Sequence, residues 1–220
     1  MGRLVTGLSL FVLAFLLLSS GPKAAGEKDK EGKDDDKKGW VQLFNGKDLT
    51  GWEVYPKGTG PWKVEKGILI GSGSKNSHLF TKRGNYENFH YRIEAKINDK
   101  GNSGQYFRVH FGDSYPKGYE AQINSTHPDP QKTGSLWGLA PYKKMLVKPD
   151  TWFTQEVIAR GNHIIIKVNG TTTVDYVDKE NRYKKGRFAL QQHDATDGVD
   201  TVVQFKKVEV KELPSGEKKE

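Results

Sequence analysis

The chain has 220 residues, of which 35% are hydrophobic and 28% are charged, and it contains no cysteine. This length suits one globular domain with a sizeable core, and the missing thiol excludes disulfides, cysteine nucleophiles, thiolate metal sites and a cysteine-linked lipid anchor. The formal net charge of +8 belongs mainly to residues 40–213. The basic residues are scattered among acids, so nucleic-acid binding is not expected. An acidic polysaccharide or cell-surface polymer remains an alternative partner.

The two ends of the chain differ in composition from its middle. Residues 1–26 contain one arginine, an apolar run from Leu8 to Leu18 and then small residues including Ala24 and Gly26. This pattern predicts a secretory signal peptide, because the apolar run is too short for a stable membrane span. Residues 27–39 are charged and lack apolar side chains, which predicts a disordered linker. Residues 214–220 form a polar tail, which leaves one exported domain at 40–213 with no membrane span.

Short β-rich runs separated by Gly, Asn, Asp and Pro begin at Trp40. The run FHYRIEAKI, residues 89–97, alternates apolar and polar side chains, which is typical of a half-buried strand. No window of helical length has an apolar stripe with a 3.6-residue period, so helices are expected to be few and short. About a dozen strands at this spacing predict an all-β, antiparallel β-sandwich or jelly roll.

A polar sheet face is predicted from three strands. SGQYFRVHF at 103–111 and GYEAQIN at 118–124 are joined by turn formers and are expected to pair as a hairpin. RFALQQH at 187–193 adds two polar residues in the same phase. The residues expected on this face are Tyr106, Arg108, His110, Glu120, Gln122, Asn124, Gln191 and His193.

Two interpretations of this face are open. It is either an ordinary solvated surface, with Arg108 and Glu120 as a cross-strand ion pair worth about 0.2–1 kcal/mol, or a sugar-handling surface. Planar amides, a guanidinium and aromatic rings suit sugar hydroxyls and sugar faces. Trp137 is either a platform for such a ring or a buried core residue.

The other candidate groups give weaker signals. His78, His90 and His163 are less suggestive, and His90 and His163 are expected to be structural. The segments GDSYP at 112–116 and DATDGVD at 194–200 could hold calcium only with ligands from elsewhere. A divalent metal is therefore possible, but the sequence does not specify a cofactor. GxSxG, Walker-type and HExxH motifs are absent from the sequence.

Five segments follow one another in a recognisable order, namely GWVQLFNGKDLTGW at 39–52, NSGQYFR at 102–108, GYEAQI at 118–123, TGSLWG at 133–138 and GRFALQQHDATDG through FKKVEVKEL at 186–213. Together they resemble the 3-keto-disaccharide hydrolase domain family. The resemblance implies a jelly roll of the concanavalin/LamG type in an exported bacterial protein, periplasmic or extracellular. It implies a 3-keto-glycoside or oligosaccharide as ligand, with a non-catalytic carbohydrate-binding module as the alternative.

The implied reaction is cleavage of a glycoside that carries a ketone at sugar carbon 3. The ketone acidifies the proton on carbon 2, so a base can remove it and the group on carbon 1 can leave by elimination before water adds. This chemistry needs a base, an enolate stabiliser and an acid. The resemblance implies catalytic roles for His193, Glu120 and Arg108, with base and acid left unassigned. It implies substrate contacts from Asn102, Ser103, Tyr106, Gln122, Asn124, Gln191 and Trp137.

The chain departs from the family pattern at two places. Asn124 stands where members commonly carry an aspartate, so a carboxylate that could serve a metal or catalysis is replaced by an amide. Phe205, Lys206, Lys207 and Val208 stand where members usually have a segment like FRNI.

Overall fold

A computed structural model describes residues 1–2, 38–58, 62–113 and 115–214. Its contacts separate Met1–Lys38 from a compact unit at Gly39–Glu220, and every strand lies in the second unit. The predicted signal peptide and almost all of the predicted linker lie outside the described residues, as do residues 215–220 of the predicted tail. No helix in the described part is long and apolar enough to cross a membrane.

The described residues form strands and loops without any helix, so the short helices expected from the sequence are not found there. The strands in chain order are β1 Val41–Gln42, β2 Trp52–Tyr55, β3 Trp62–Glu65, β4 Ile68–Gly73, β5 Ser77–Thr81, β6 Phe89–Ile97, β7 Asn102–Val109, β8 Tyr119–Asn124, β9 Phe153–Arg160, β10 His163–Val168, β11 Thr171–Val177, β12 Arg187–Gln192 and β13 Thr201–Glu212.

The strands make two antiparallel sheets. One has eight strands in the order β11-β10-β9-β6-β13-β4-β3, with β1 added beside β13. The other has five strands in the order β2-β5-β12-β7-β8. The predicted all-β jelly-roll sandwich is confirmed, and so is the hairpin of β7 and β8.

The core lies between the two sheets and follows from side-chain alternation. Every second residue of β6 is buried, from Phe89 to Ile97. These residues meet the inward side of the five-stranded sheet, where the Tyr91 ring stacks on Phe188 with centroids 4.1 Å apart. Burial of each large apolar side chain contributes about 1.5–3 kcal/mol relative to exposure. The apolar residues of β6 therefore stabilise the packing of the eight-stranded sheet against the five-stranded sheet.

The five-stranded sheet is covered on both of its faces. All eight residues of β7 and all five of β5 are buried, although both strands contain polar side chains. Strands buried on both faces lose the simple apolar and polar alternation. Most polar side chains on the outer face of this sheet, which points away from the core, are therefore largely shielded from bulk water.

Candidate functional site

The outer face of the five-stranded sheet carries a pocket whose floor is ordered by strand register. Tyr106 on β7 pairs with Glu120 on β8, and Gly104 pairs with Gln122. On the other side, Gln191 of β12 pairs with His78 of β5. Because residues two apart on a strand share a face, these side chains form adjacent rows.

Gly104 makes room in the middle of these rows. A Cβ atom at this position would lie 2.4 Å from Glu120 Oε1 and 2.6 Å from Tyr106 Cε2. The side chains of Glu120 and Tyr106 thus occupy the space above the glycine. Because glycine has no side chain, Glu120 and Tyr106 can fill this space and form the pocket floor.

The resulting pocket has a volume of about 410 Å³. This falls within the range of about 300–1,000 Å³ that is usual for small-molecule sites. The residues that line it are Asn102, Tyr106, Tyr115, Pro116, Lys117, Gly118, Glu120, Gln122, His127, Asp129, Trp137, Tyr183, Gln191 and His193.

Glu120 is the acidic group of the floor, and its surroundings favour the protonated form. Burial raises the pKa of its carboxyl to about 8, with a further upward contribution from the charge of Asp129 and an opposing one from a hydrogen bond with Tyr106. At neutral pH the carboxyl is therefore mostly uncharged. It can donate a proton to a group in the pocket, which an ordinary surface glutamate cannot do.

Tyr106 links Glu120 to the neighbouring strand. Burial, and then the nearby Glu120 carboxyl, raises the pKa of its phenol well above the ordinary value. Gln191 Nε2 donates to the Tyr106 hydroxyl oxygen at 3.4 Å. The hydroxyl therefore keeps its proton at any physiological pH and serves as a neutral hydrogen-bond donor.

Two imidazoles lie on the other side of the pocket. The rings of His127 and His193 meet edge to face with centroids 6.0 Å apart. The Asp129 backbone N–H donates to His127 Nδ1 at 3.1 Å, so the neutral ring carries its proton on Nε2. Burial, aided by His193, lowers the pKa of His127. The backbone of His193 is bound to β7, because its N–H donates to Asn102 O at 3.2 Å.

Two exposed aromatic side chains border the pocket. Trp137 is 50% exposed and Tyr115 is 59% exposed. Each is tied by its polar edge, since Trp137 Nε1 donates to Asp129 Oδ2 at 3.1 Å and the Tyr115 hydroxyl donates to Asp194 Oδ2 at 3.4 Å. The interpretation of Trp137 as a buried core residue is wrong, and its role as a platform for a sugar ring stays a prediction. Rings with anchored edges and accessible surfaces suit stacking against a flat ligand.

Seven of the residues expected from the sequence meet in this pocket. They are Asn102, Tyr106, Glu120, Gln122, Trp137, Gln191 and His193. Arg108, Ser103 and Asn124 do not line it.

Arg108 is the main correction. A β-bulge at this residue, with φ of 55° and a register shift against β12, interrupts the alternation. Its guanidinium points away from Glu120 and is fully buried. Its Nη2 donates to Glu87 O at 2.6 Å, and its Nη1 donates to Gly161 O at 2.7 Å. The predicted ion pair with Glu120 and the predicted place in the site are wrong, because the bulge turns the side chain to the opposite face.

The bulge also changes the phase of the following residues. Val109, which simple alternation with Tyr106, Arg108 and His110 would place on the core side, packs on the outer face with Phe80, Tyr106 and Ala189. His110 lies exposed beyond the strand end and does not line the pocket, although its backbone N–H donates to Lys117 O at 3.4 Å. The alternation predicted for β7 is therefore valid only up to Phe107.

Ser103 and Asn124 support the floor from outside the pocket. Ser103 Oγ donates to Gln191 O at 2.6 Å, which joins β7 to β12. Asn124 Nδ2 donates to the carbonyls of Asp129 and Gln131, each at 3.0 Å. The predicted ligand contacts of both residues are replaced by structural ones. Asn124 holds the loop that carries His127 and Asp129.

The loops contribute pocket residues that the sequence pattern did not indicate. Tyr115 and Lys117 come from the β7–β8 connection, and His127 and Asp129 come from the segment after β8. Loop residues have no periodicity that assigns them to a face. The local sequence THPDP at 126–130, rich in turn formers around a histidine, was the one available signal.

A metal centre is not evident in the described ranges. Within them, no three His, Asp or Glu side chains cluster in a way that could hold an ion. The polar groups that line the pocket are side-chain amides, phenols, imidazoles, the Lys117 ammonium and the carboxyls of Asp129 and Glu120.

The sandwich and its pocket define a jelly roll of the kind found in carbohydrate-active and carbohydrate-binding proteins. A protein of Parabacteroides distasonis ATCC 8503, solved as a candidate glycosyl hydrolase, shares the fold with a TM-score of 0.67 at 24% identity over 87% of this chain and 99% of that one. The carbohydrate-binding module CBM66 of Bacillus subtilis shares it with a TM-score of 0.56 at 19% identity over 73% and 95%.

The family follows from the sequence match. The chain belongs to the family of the 3-keto-alpha-glucoside-1,2-lyase-like domain, whose model matches residues 39–211. It is 23% identical over 172 residues to a 3-keto-disaccharide hydrolase of Bacteroides thetaiotaomicron. That match covers 64% of this chain, and it spans 59% of the length of the relative. The resemblance noted in the sequence is thereby confirmed.

Proposed function

We propose that this protein cleaves 3-keto-glycosides, including 3-keto-disaccharides, by removing the proton on carbon 2, eliminating the group on carbon 1 and adding water. One observation carries the proposal: Glu120, with its raised pKa, and His193 line the same pocket. An acid and a base on one substrate are what this elimination requires. Family membership supports the choice of substrate.

His193 is the base in this proposal. His127 is less suited, because its Nδ1 accepts from the Asp129 backbone and its Nε2 therefore carries a proton. His193 takes the proton from carbon 2, and the electrons of the C–H bond pass into the ketone to form an enolate. The enolate oxygen can be met by uncharged donors of the pocket, namely the Tyr106 hydroxyl and the amides of Gln122 and Gln191.

Glu120 is the acid. As the enolate re-forms the ketone, a double bond forms between carbons 1 and 2 and the bond from carbon 1 to the glycosidic oxygen breaks. The departing oxygen takes the Glu120 proton, which a carboxyl with a pKa of about 8 still holds at neutral pH. Addition of water across the double bond then places a hydroxyl on carbon 1 and a hydrogen on carbon 2. The products are a 3-keto sugar and an alcohol.

The test compares two leaving groups. A 3-keto-glucoside of 4-nitrophenol needs little help from an acid, because nitrophenolate is stable without a proton, whereas a 3-keto-disaccharide needs a proton on its departing hydroxyl. Glu120→Gln should lose the disaccharide reaction and keep most of the nitrophenyl reaction. His193→Ala should lose both, together with exchange of the carbon 2 proton in deuterated water. A loss of about 10²–10⁴-fold is usual for removal of an acid or base.

Two results would contradict the assignment. Wild-type rates in both variants would remove these residues from the mechanism. Equal losses on both substrates in Glu120→Gln would remove the acid role. His163→Ala is a matched control on β10, where the imidazole lies 2.6 Å from Asp175 and outside the pocket, and its rates should equal those of the wild type.

A non-catalytic carbohydrate-binding module is the second candidate. The exposed rings of Trp137 and Tyr115 favour it, because stacking platforms serve binding without chemistry. A binder should hold unmodified oligosaccharides in a calorimeter, lose that affinity in Trp137→Ala, and show no carbon 2 exchange with a 3-keto substrate. Exchange in the wild type would decide for the enzyme.

Export of the protein to the periplasm or the cell exterior is part of the same proposal. It is supported by the sequence of residues 1–26. Expression of the full chain in a bacterial host, followed by fractionation and N-terminal sequencing of the product, tests it. A new N-terminus near Glu27 in the exported fraction is expected, and an unprocessed chain in the cytoplasm would contradict it.

A further inference from the structure

His78 lies beside the pocket floor without lining the pocket. It is in the middle of β5, where it pairs with Gln191 on one side and Tyr55 on the other. Its side chain is fully buried, and its ring meets Tyr106 edge to face with centroids 5.1 Å apart. An imidazole therefore lies directly behind the tyrosine that contacts Glu120.

Its two ring nitrogens are not matched by the surrounding protein. Neither Nδ1 nor Nε2 has a hydrogen-bond partner among the described residues. Burial, and then the neighbouring His193, lowers the pKa of His78 to about 3, so the ring is neutral. A buried polar atom without a hydrogen-bond partner costs free energy. Each such atom in a folded protein therefore calls for an explanation, such as a bound water or a catalytic role.

Other unmatched atoms lie on the neighbouring strands. His193 Nδ1, Gln191 Oε1 and Asn102 Oδ1 are also buried without a partner in the described ranges. Gln191 pairs with His78, and His193, the residue that follows β12, lines the same pocket as Gln191. The effect of His193 on the pKa of His78 agrees with this proximity. A group of neighbouring unmatched donors and acceptors suits one bridging water molecule.

We propose that His78 is a positioning residue for His193, linked to His193 Nδ1 through one bound water molecule on the floor of the site. The water accepts the Nδ1 proton of His193 and donates to the unprotonated nitrogen of His78. His193 then presents an unprotonated Nε2 to the substrate. This role rests on the proposed function, in which His193 is the base.

The physical reason is the need for one tautomer. A neutral imidazole has its proton on either nitrogen, and only the form with Nδ1–H leaves Nε2 free to take a proton. A hydrogen-bond acceptor behind Nδ1 selects that form. In many enzymes this acceptor is a carboxylate, which would also favour a charged imidazole. A neutral acceptor chain through His78 selects the tautomer without placing a negative charge behind the ring.

The experiment replaces His78 by Phe and by Gln in the full chain. His78→Phe keeps a ring against Tyr106 and removes both ring nitrogens, so the protein should fold with a melting temperature within about 2–4 °C of the wild-type value. Its kcat for a 3-keto-glycoside should fall about 10–100-fold, as for loss of an orienting partner, with KM little changed. His78→Gln retains a donor and an acceptor and should recover much of kcat. His110→Phe, an exposed histidine beyond β7, is the matched control and should behave as wild type.

A spectroscopic measurement separates this proposal from the proposed function. Nitrogen-15 spectra of histidine-labelled protein report the tautomer of His193, whose signal is assigned by its loss in His193→Gln. The wild type should show Nδ1–H, and His78→Phe should show a mixture. An unchanged His193 spectrum, or an unchanged kcat in His78→Phe, overturns the role of His78. An inactive wild type overturns the proposed function, and the nitrogen spectrum then still decides whether His78 orients His193.

Discussion

Glu120 and Tyr106 pair across β7 and β8, and both side chains lean into the space that Gly104 leaves open. Each depends on the other for its protonation state. The Glu120 carboxyl raises the pKa of the phenol, and the hydrogen bond from the phenol limits the rise in the pKa of the carboxyl. The pair thereby supplies two protonated groups at neutral pH, and both side chains line the pocket.

The first prediction concerns pH and stability. Glu120 has a pKa of about 8 in the folded protein against an ordinary value of 4.5. Between these values the native state holds a proton that the unfolded chain has released, so the contribution of Glu120 is fully present below pH 4.5 and is lost as pH rises through 8. Urea unfolding of wild type and Glu120→Gln from pH 5 to 9 should show the wild type losing stability relative to the variant as pH rises.

Glu65→Gln is the matched control for this measurement. Glu65 lies exposed on β3 in an ion pair with Lys63. The free energy of unfolding of Glu65→Gln should change with pH in the same way as that of the wild type. Parallel curves for wild type and Glu120→Gln would show that the Glu120 carboxyl titrates normally, and they would remove the basis for its role as the acid.

The strands of this fold could be predicted because their sequences alternate. β6 is bounded at Phe89 and Ile97 in the structure as in the sequence, and its odd-numbered residues are all buried. The polar face of β8 also follows from alternation, which is why Glu120 and Gln122 were found. Local periodicity is sufficient wherever a strand is regular and one face is covered by the other sheet.

Two features of the site are not encoded locally. The bulge at Arg108 depends on the pairing of β7 with β12, so no local pattern predicts that the guanidinium turns inward. His78 belongs to SHLFT, a strand buried on both faces, where alternation carries no information about which face matters. Tertiary packing decides both, and sequence reasoning placed Arg108 on the wrong face for that reason.

The second prediction treats Arg108 as a structural residue. Its guanidinium donates to the carbonyls of Glu87, Gly161 and Tyr183 and joins three loops. Arg108→Met should reduce the free energy of unfolding by about 2–4 kcal/mol, because buried carbonyls lose charged donors. Below its melting temperature the variant should keep kcat within a few-fold of wild type. Urea unfolding and initial rates measure the two effects.

Arg187→Met is the control for Arg108. Arg187 is a partly exposed arginine that pairs with Glu53 at 2.9 Å, and its loss should cost less than about 1 kcal/mol. A large fall in kcat for a well-folded Arg108→Met protein would contradict the structural assignment.

The third prediction concerns the family difference at Asn124. Its Nδ2 donates to two carbonyls, and an aspartate has no donor for them when ionised. Asn124→Asp should therefore unfold more easily at pH 7 by about 1–3 kcal/mol and regain stability as pH falls, because a protonated carboxyl donates again. KM should rise, since the loop bearing His127 and Asp129 loses its tie.

The measurement for Asn124 is thermal unfolding at pH 4.5 and pH 7 for wild type and variant. Asn85→Asp provides the comparison, because Asn85 is exposed and its Oδ1 accepts from Arg83 Nε at 2.7 Å, a role that a carboxylate retains. If Asn124→Asp matched the wild type in melting temperature and KM at pH 7, Asn124 would not be holding the loop.

The fourth prediction uses Gly104 to separate function from stability. Gly104 has an ordinary backbone conformation, since its φ is not among the positive values, so alanine is acceptable to the strand itself. The added Cβ must displace the Glu120 carboxyl, whose Oε1 lies 2.4 Å from that position. Gly104→Ala should keep a melting temperature within a few degrees of wild type and lose activity on a 3-keto-disaccharide by at least tenfold.

Gly71→Ala is the comparison variant, and it should lose stability rather than activity. Its Cβ would meet the Trp62 ring at 2.8 Å, in the core and far in sequence from the pocket residues. This variant should melt earlier because overpacking costs about 1–3 kcal/mol, while KM and kcat of the folded protein stay near wild type. Gly104→Ala displaces the Glu120 carboxyl and the Tyr106 ring, which both line the pocket and have its open space beside them, whereas Gly71→Ala displaces the Trp62 ring inside the core. A stability loss in Gly104→Ala equal to that of Gly71→Ala, with unaltered activity, would show that the space above Gly104 serves packing alone.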